Sequence, residues 1–344
     1  MTIGAKIMNR LQADIQSIVS KKLLFEPLAD STVLVTGATG LIGSMLVKSL
    51  LSANEVYGFN IKIIGQIRNK EKAKEIFGDL ADKVKLTASD DVTCNFIIHT
   101  ISPTTSKFFI EYPVETIKTS VESTMSILEV AKKNMASIIY LSSMEQYGIP
   151  IVDGEKMTED KVGIIDHLNI RSSYSESKRL CECLCVSYAA EYNVNVTIAR
   201  LAQTFGAGVS LNDTRMPMQF AQAVITGKDI VLHTEGKSVS NFVYLSDAIA
   251  GILTILVKGE SGHAYNICND KETKSVREIA DLVALDVAEG AISVRVVKKE
   301  NMGYAPDVKM YLNSEKLCNL GWVAEVGMAE AYRRMVEYLR GVNF

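Results

Sequence analysis

The chain has 344 residues, of which 47% are hydrophobic and 22% charged, and its formal net charge is −3. This is an ordinary globular composition, and the length suits one large domain with a smaller unit attached. The net charge gives no sign of a nucleic-acid or membrane-surface partner, and no apolar run reaches the roughly 18 residues of a membrane span. The N-terminal segment does not resemble a signal peptide, because Lys6, Arg10 and Asp14 interrupt any apolar core. We therefore expect a cytoplasmic protein.

Residues 1–30 are predicted to form an N-terminal helical extension. Leu11, Ile15, Ile18 and Val19 recur at helical spacing with polar residues between them. We expect this helix to pack on its own chain, and an oligomer contact is the alternative.

From residue 31 onward the chain alternates between short apolar β-rich runs and helical patterns. Strands are predicted at 32–36, 61–67, 84–87, 95–100, 137–143 and 194–200, and helices at 41–51, 70–77, 114–134 and 172–192. Such alternation predicts a doubly wound parallel α/β sheet with helices on both faces, the Rossmann architecture. The periodicity loosens after Arg200, with loops around 206–215 and 236–241, which predicts a smaller C-terminal α/β lobe. We expect residues 31–200 plus 241–267 to form the first domain and residues 201–240 plus 268–344 the lobe.

A glycine-rich turn follows the first predicted strand directly and opens a helix. Its sequence is Gly37-Ala38-Thr39-Gly40-Leu41-Ile42-Gly43. Three glycines let the backbone approach a pyrophosphate at a helix N-terminus, and this strand–turn–helix context is typical of dinucleotide binding. We therefore expect Gly37, Thr39, Gly40, Leu41, Ile42 and Gly43 to contact an NAD(P) cofactor held by the first domain, with an ordinary glycine-rich turn as the alternative.

The end of the second strand bears on the choice between NAD and NADP. An acidic residue there would accept from the 2′-hydroxyl of the adenosine ribose and repel a 2′-phosphate. The chain instead has Gln66-Ile67-Arg68-Asn69. Arg68 either pairs with a 2′-phosphate or is a solvated side chain at a strand end, so both cofactors stay open. Asp90 or Asp91, after the third strand, is a candidate for contacting the adenine, and we favour Asp90.

Tyr174 and Lys178 stand four residues apart on a predicted helix. That spacing is about one turn, so both side chains share a face. A phenol has an ordinary pKa near 10, and a neighbouring ammonium together with a positively charged nicotinamide ring favours the phenolate. The pair predicts a base for hydride-transfer chemistry, with Lys178 also holding the nicotinamide ribose.

Ser143 and Glu145 lie at the end of the strand predicted over 137–143. Ligands of such sheets bind beyond the carboxyl ends of the strands. Ser143 is predicted to bond a substrate hydroxyl or ketone and to share its proton with Tyr174, and Glu145 is a candidate second base. The alternative is a hydrophilic strand end.

The cysteines do not form a metal-binding pattern. Cys181, Cys183 and Cys185 lack a CxxC pair and a nearby histidine, and on a helix they spread around the axis. We expect buried, reduced thiols and no metal site.

Together these motifs resemble the extended short-chain dehydrogenase/reductase family, which includes the nucleotide-sugar epimerases, dehydratases and decarboxylases. The resemblance covers residues 31–340 and includes 113–131, 200–206, 242–247, 264–267 and 320–322. It implies a Rossmann domain with a C-terminal lobe that binds a nucleotide sugar, and catalytic roles for Ser143, Tyr174 and Lys178. It also implies a homodimer in which the Tyr174 helix and the helix over 114–134 form a four-helix bundle.

The subfamily signals conflict. Glu145 and the segment Asn212-Asp213-Thr214-Arg215 resemble the UDP-glucuronate decarboxylases, and Glu145 also resembles the 4,6-dehydratases, but Met144 stands where dTDP-glucose dehydratases carry an acid. Gln203 replaces the family's usual asparagine at a position that binds substrate.

The arginines that clamp the substrate diphosphate in this family are missing, because Ser240 and Tyr304 stand at their positions. Losing such a clamp removes strong charge-assisted hydrogen bonds. Either Arg215, Lys237 or Lys309 replaces them, or the substrate is unusual.

The expected function is modification of a nucleotide sugar through a transient 4-keto sugar, by 4,6-dehydratase or uronate decarboxylase chemistry. Tyr174 would deprotonate a sugar hydroxyl as hydride passes to NAD(P)⁺, and Glu145 would assist the next step. The alternatives are a 4-epimerase, a reductase that consumes NADPH to reduce a keto-sugar nucleotide, and a non-catalytic NAD(P)-sensing scaffold.

Overall fold

The computed structural model describes residues 3–298 and 307–342, with side chains from residue 10 onward. Its strands are β1 (Thr32–Thr36), β2 (Lys62–Gln66), β3 (Lys85–Thr87), β4 (Phe96–His99), β5 (Ser137–Ser143), β6 (Lys156–Met157), β7 (Val196–Leu201), β8 (Gln203–Phe205), β9 (Ile230–Leu232), β10 (Val239–Ser240), β11 (Phe242–Tyr244), β12 (Ala264–Ile267), β13 (Lys274–Ser275), β14 (Val294–Val296) and β15 (Tyr311–Leu312).

The helices alternate with these strands along the chain. They are α1 (Ile3–Val19), α2 (Leu41–Tyr57), α3 (Lys70–Phe77), α4 (Ser106–Glu111), α5 (Pro113–Asn134), α6 (Ser173–Tyr192), α7 (Met216–Thr226), α8 (Leu245–Lys258), α9 (Val276–Leu282), α10 (Glu315–Cys318) and α11 (Met328–Gly341). A π-helical turn, Val283–Val287, continues α9.

Seven parallel strands form the central sheet, in the order β12-β7-β5-β4-β1-β2-β3. The chain builds outward from β1 to β3 on one side, then returns to β4 and builds outward to β12 on the other. The strand order therefore reverses between β1 and β4, and such a switch point leaves a crevice beyond the carboxyl ends of the strands.

Successive residues of the strands point to opposite faces of the sheet, and both faces are buried. On β1, Val33 and Val35 join a hydrophobic cluster with α2 and α8, whereas Leu34 joins a second cluster with α5 and α6. Because helices cover both faces of the sheet, side chains on both faces are apolar. The strands are therefore nearly continuous apolar runs rather than alternating ones. The predicted doubly wound Rossmann fold is confirmed.

A third hydrophobic cluster belongs to the C-terminal part of the chain. It gathers side chains from α7, α9 and α11 around Phe205 and Tyr332, whose ring centroids lie 5.1 Å apart. Two-stranded pairs surround it, β8 with β11 and β9 with β14. The division into residues 31–200 plus 241–267 and 201–240 plus 268–344 stays a prediction, and β6, which pairs with β15, links the two stretches.

The N-terminal helix α1 packs within the chain, against α2, α8 and α11. Ile15, Ile18 and Val19 are buried in the cluster beneath the sheet. Directly before Ile15, the fully buried Asp14 accepts hydrogen bonds from Arg10, from the Tyr244 hydroxyl and from Arg334. The helix thus contacts both the sheet layer and the C-terminal cluster.

The structure differs from the expectations at three places. Helix α2 runs six residues beyond the predicted end at residue 51, to Tyr57, and Gly58 with a φ of 68° caps it. The predicted loop over 236–241 contains β10, because its partner β13 lies far along the chain. Cys183 and Cys318 are exposed, whereas all the cysteines were expected to be buried.

Within residues 3–298 and 307–342, no helix has the length and apolar character needed to cross a membrane.

Candidate active site

Two glycines of the turn between β1 and α2 have no room for a side chain. A Cβ on Gly43 would lie 2.3 Å from the Gly37 carbonyl oxygen, and one on Gly37, whose φ is 60°, would lie 2.7 Å from the Thr100 hydroxyl. The Gly40 N–H donates to the Gly37 oxygen at 2.9 Å, and Gly40 caps α2. The bare backbone at this helix N-terminus fits the pyrophosphate of a dinucleotide. Contacts from the partly exposed Thr39, Leu41 and Ile42 stay predictions.

At the ends of β2 and β3 the structure places Arg68 and Asp90 on the surface. Asp90 accepts hydrogen bonds from the Gln66 amide and from the Ser126 hydroxyl, which ties the end of β2 to α5. Arg68, two residues beyond β2, is exposed. Neither residue's predicted contact with the adenosine half of the cofactor is tested by this arrangement, and both stay predictions.

Lys178 lies deep in the site, on the face of α6 that packs against β5. Its side chain is 2% exposed, and its ammonium donates to the Leu141 carbonyl oxygen at 2.7 Å. The same nitrogen lies 5.7 Å from the centroid of the Tyr174 ring. Burial lowers the pKa of Lys178 to about 8. The ammonium is therefore present below about pH 8 and is lost above it.

Tyr174 is buried, with its ring stacked on that of Phe109 at a centroid distance of 4.2 Å. Burial raises the pKa of Tyr174, and the Glu145 carboxylate raises it further, while the hydroxyls of Ser143 and Ser102 and the charge of Arg215 oppose the shift. We expected Lys178 to lower this pKa; in the structure the charge that opposes the upward shift is that of Arg215, and burial outweighs it. The physical reason is desolvation, which disfavours the phenolate.

Ser143 and Glu145 follow one another at the carboxyl end of β5. The Ser143 hydroxyl accepts from the Glu145 backbone N–H at 3.2 Å, which starts the short 3₁₀ turn Met144–Tyr147. The Glu145 side chain is 24% exposed, and Arg171 Nη1 lies 3.5 Å from one of its oxygens. Burial raises the pKa of Glu145, and Arg171 opposes this shift. Glu145 therefore binds a proton more readily than an ordinary glutamate.

Gln203 begins β8, and Arg215 contacts the residue that follows it in this strand. Arg215 Nη1 donates to the Thr204 carbonyl oxygen at 3.2 Å. Its guanidinium also makes a two-pronged ion pair with Asp213, in which Nη2 and Oδ2 are 2.6 Å apart. An anionic substrate group would have to compete with Asp213 for Arg215, and substrate binding by Gln203 and Arg215 stays a prediction.

The other candidate replacements for the missing diphosphate arginines lie elsewhere. Ser240 is in β10, opposite Lys274 of β13, and Tyr304 lies outside the described residues. Lys309 pairs with Asp153 at 2.9 Å, and Lys237 is exposed. Of the three replacement cations, Arg215 is the one whose charge acts on Tyr174.

Three residues of the site were not predicted from the sequence. Ser102 follows β4 and acts on the Tyr174 hydroxyl, Phe109 stacks on Tyr174 from α4, and Arg171 contacts Glu145. Arg171 carried a usable signal, since it stands three residues before Tyr174. Ser102 and Phe109 come from a stretch without any motif, so only the folded chain reveals them.

Known proteins resemble the chain in both sequence and structure. UDP-glucuronic acid decarboxylase 6 of Arabidopsis thaliana is 30% identical over 313 residues, which cover 90% of this chain and 88% of that protein. UDP-glucuronic acid decarboxylase 1 of Xenopus tropicalis is 27% identical over 317 residues, covering 90% and 72% of the two chains.

Solved structures share the fold. The UDP-glucose 4-epimerase of Thermotoga maritima superposes with a TM-score of 0.77 at 20% identity, covering 90% of this chain and 99% of the epimerase. The dTDP-glucose 4,6-dehydratase of Bacillus anthracis gives a TM-score of 0.72 at 18% identity, covering 89% and 96%. The model of the NAD dependent epimerase/dehydratase family matches residues 33–268. The chain is therefore an enzyme, and it belongs to the NAD-dependent epimerase/dehydratase family.

Proposed function

We propose that this enzyme decarboxylates a nucleotide-linked uronic acid of the UDP-glucuronic acid type, through a transient 4-keto sugar. The observation that carries the proposal is the protonatable carboxyl of Glu145, whose charge acts on Tyr174 and which contacts Arg171. The relatives named UDP-glucuronic acid decarboxylase, which match 90% of the chain, support it.

The oxidation step rests on three side chains. Tyr174 accepts the proton of the sugar hydroxyl, Ser143 bonds the same oxygen, and Lys178 supplies positive charge beneath the Tyr174 ring and a donor for the nicotinamide ribose. When bound at the glycine-rich turn, NAD would supply the hydride acceptor for the oxidation and, once reduced, the donor that returns this hydride to the decarboxylated keto sugar, so that the cofactor ends oxidised. Burial raises the pKa of Tyr174, and the positive ring of a bound NAD would favour the phenolate against that shift.

The arrangement of carboxyl groups favours decarboxylation over dehydration. Eliminating water requires an acid for the leaving hydroxyl and a base for the proton on the adjacent carbon. The carboxylate whose charge acts on Tyr174 most strongly is Glu145, and the preceding Met144 is a buried apolar side chain rather than an acid. Loss of carbon dioxide from a 4-keto uronate breaks the carbon–carbon bond and leaves its electron pair in an enolate. One acid, Glu145, can then return a proton to the sugar carbon.

The test is incubation of the purified protein with UDP-glucuronic acid, UDP-glucose and dTDP-glucose, followed by mass spectrometry of the products. We expect loss of carbon dioxide from UDP-glucuronic acid without added reductant. Loss of water from a hexose nucleotide would identify a dehydratase, an isomer of unchanged mass a 4-epimerase, and product formation in step with added NADPH a reductase. No turnover of any of the three nucleotides would overturn the proposed activity.

Glu145→Gln should lower decarboxylation by about 10²-fold, because the amide cannot carry the proton that a carboxyl can. Since glutamine has nearly the same size and still bonds Arg171, affinity for the sugar nucleotide should stay within a few-fold of the wild type. The measurement is steady-state release of carbon dioxide together with calorimetric binding. Wild-type turnover in this variant would show that Glu145 lines the site without transferring a proton, and would favour 4-epimerisation.

The choice between NAD and NADP turns on Arg68, which is exposed beyond β2. We propose that NADP binds at least as tightly as NAD, because the guanidinium suits a 2′-phosphate and the acidic residue that would repel it is missing. Arg68→Ala should then weaken NADP by about tenfold, the loss of one charge-assisted bond, and leave NAD unchanged. Calorimetry that finds an NAD preference insensitive to Arg68→Ala would reject this assignment.

A homodimer built on α5 and α6 stays a proposal, as does a cytoplasmic location. Large apolar side chains are exposed on both helices, and α5 and α6 pack against each other along their lengths. The exposed residues are Val114, Ile117 and Met125 on α5 and Leu180 and Val186 on α6. A four-helix bundle would bury this apolar surface.

A further inference from the structure

Arg171 is a cation of the site whose guanidinium makes only long hydrogen bonds to its described neighbours. It lies in the 3₁₀ turn Ile170–Ser172 that leads into α6, and its side chain is 31% exposed. Its guanidinium makes two side-chain contacts within the described part of the chain, to Glu145 at 3.5 Å and to the Ser106 hydroxyl at 3.4 Å. Both contacts are at the outer limit of a hydrogen bond, although a guanidinium carries five N–H donors.

Neighbouring arginines are bound much more tightly. Arg215 forms a two-pronged pair with Asp213, and Arg200 forms one with Glu182, with shortest distances of 2.6 and 2.7 Å. Arg179 donates to three backbone carbonyl oxygens at 2.6 to 3.0 Å. These three guanidinium groups have structural partners, whereas Arg171 retains donors at the edge of the pocket.

Arg171 lies where a substrate carboxylate would need a cation. It precedes Tyr174 by three residues, and side chains at that spacing lie on one face of a helical segment. A second carboxylate entering beside Glu145 would bring two like charges together in a desolvated pocket, which is costly unless a cation lies between them. Arginine binds a carboxylate through two parallel N–H bonds, a geometry that lysine lacks.

We infer that Arg171 is the receptor for the substrate's carboxylate, and that it selects a uronic acid over a neutral sugar. This inference rests on the proposed function. The guanidinium bridges the substrate carboxylate and Glu145, so that an acidic sugar is accepted beside an acidic side chain. A neutral hexose nucleotide gains nothing from this contact.

The test compares the affinities of UDP-glucuronic acid and UDP-glucose for the full-length, cofactor-loaded protein by calorimetry. In Arg171→Gln, affinity for UDP-glucuronic acid should fall by about 10- to 100-fold, the worth of a hydrogen-bonded ion contact. Affinity for UDP-glucose should change by less than about twofold. Arg171→Lys should give an intermediate loss, because it keeps the charge without the two-pronged geometry.

Lys107→Gln is the matched control. It removes one positive charge from an exposed side chain of α4, next to Ser106, and should leave both affinities unchanged. Equal losses for the two sugar nucleotides in Arg171→Gln would assign Arg171 a structural role and overturn the inference. So would unchanged discrimination, or a wild-type protein without any preference for the acid.

Failure of the proposed function is a separate outcome. A wild-type protein that prefers UDP-glucuronic acid through Arg171 but releases no carbon dioxide would support the carboxylate receptor and overturn the decarboxylase.

Discussion

Replacing Tyr174 with phenylalanine is expected to lower kcat by about 10²- to 10⁴-fold, the range for losing a group that transfers a proton. The phenylalanine ring retains the stacking on Phe109, so the fold of the site should be preserved. Affinity for NAD should barely change, because the glycine-rich turn and Lys178 are untouched. The measurements are turnover of UDP-glucuronic acid and calorimetric binding of NAD.

Tyr188→Phe is the control for this experiment. Tyr188 lies on the same helix, and its hydroxyl donates to Glu129 at the surface, away from Ser143. Removing that hydroxyl should leave kcat at its wild-type value. Near-normal turnover in Tyr174→Phe would show that another group moves the proton, and the roles proposed for Tyr174 and Lys178 would have to be abandoned.

The sheet and the cofactor turn were predictable because their signals are local. The run Gly37 to Gly43 directly follows a strand and opens a helix, and each of those features depends on neighbouring residues. The same holds for Tyr174 and Lys178, whose one-turn spacing sets a shared face wherever the helix packs. The alternation of strands and helices then predicted that Ser143 and Glu145 lie at the carboxyl edge of the sheet.

The pKa values of the site residues depend on how deeply each side chain is buried, and the sequence does not specify this burial. A solvated Lys178 would lower the pKa of Tyr174, but in the folded chain Lys178 is itself buried, its own pKa falls to about 8, and burial raises that of Tyr174. Arg215 was a reasonable candidate for a free anion-binding cation, and only the structure shows its two-pronged pair with Asp213.

The position of α1 could not be predicted for a different reason. Its apolar spacing indicated a buried face, but two of the helices that it packs against, α8 and α11, lie far along the chain. Asp14 appeared in the sequence only as a charge that interrupts an apolar segment. In the structure it is fully buried and binds Tyr244 and Arg334.

Asp14→Ala is expected to lower the free energy of unfolding by about 3 to 5 kcal/mol, as found when one member of a buried ion pair is removed. The Asp14 carboxylate accepts from the Tyr244 hydroxyl at 2.6 Å, from Arg10 at 2.9 Å and from Arg334 at 3.2 Å. Its removal leaves two partly buried guanidinium groups without their shared anion. Urea unfolding monitored by circular dichroism measures the loss. Asp14→Asn keeps the volume and one acceptor oxygen and should fall between Ala and wild type.

The control is Glu330→Gln, which breaks the exposed pair between Glu330 and Arg334 on α11. An exposed ion pair contributes at most about 1 kcal/mol, because water screens it. Both variants remove a carboxylate from Arg334, one fully buried and one largely exposed. Equal small effects would mean that α1 can detach without loosening the C-terminal cluster. A large effect of Asp14→Ala alone would establish α1 as the element that joins that cluster to the Rossmann sheet.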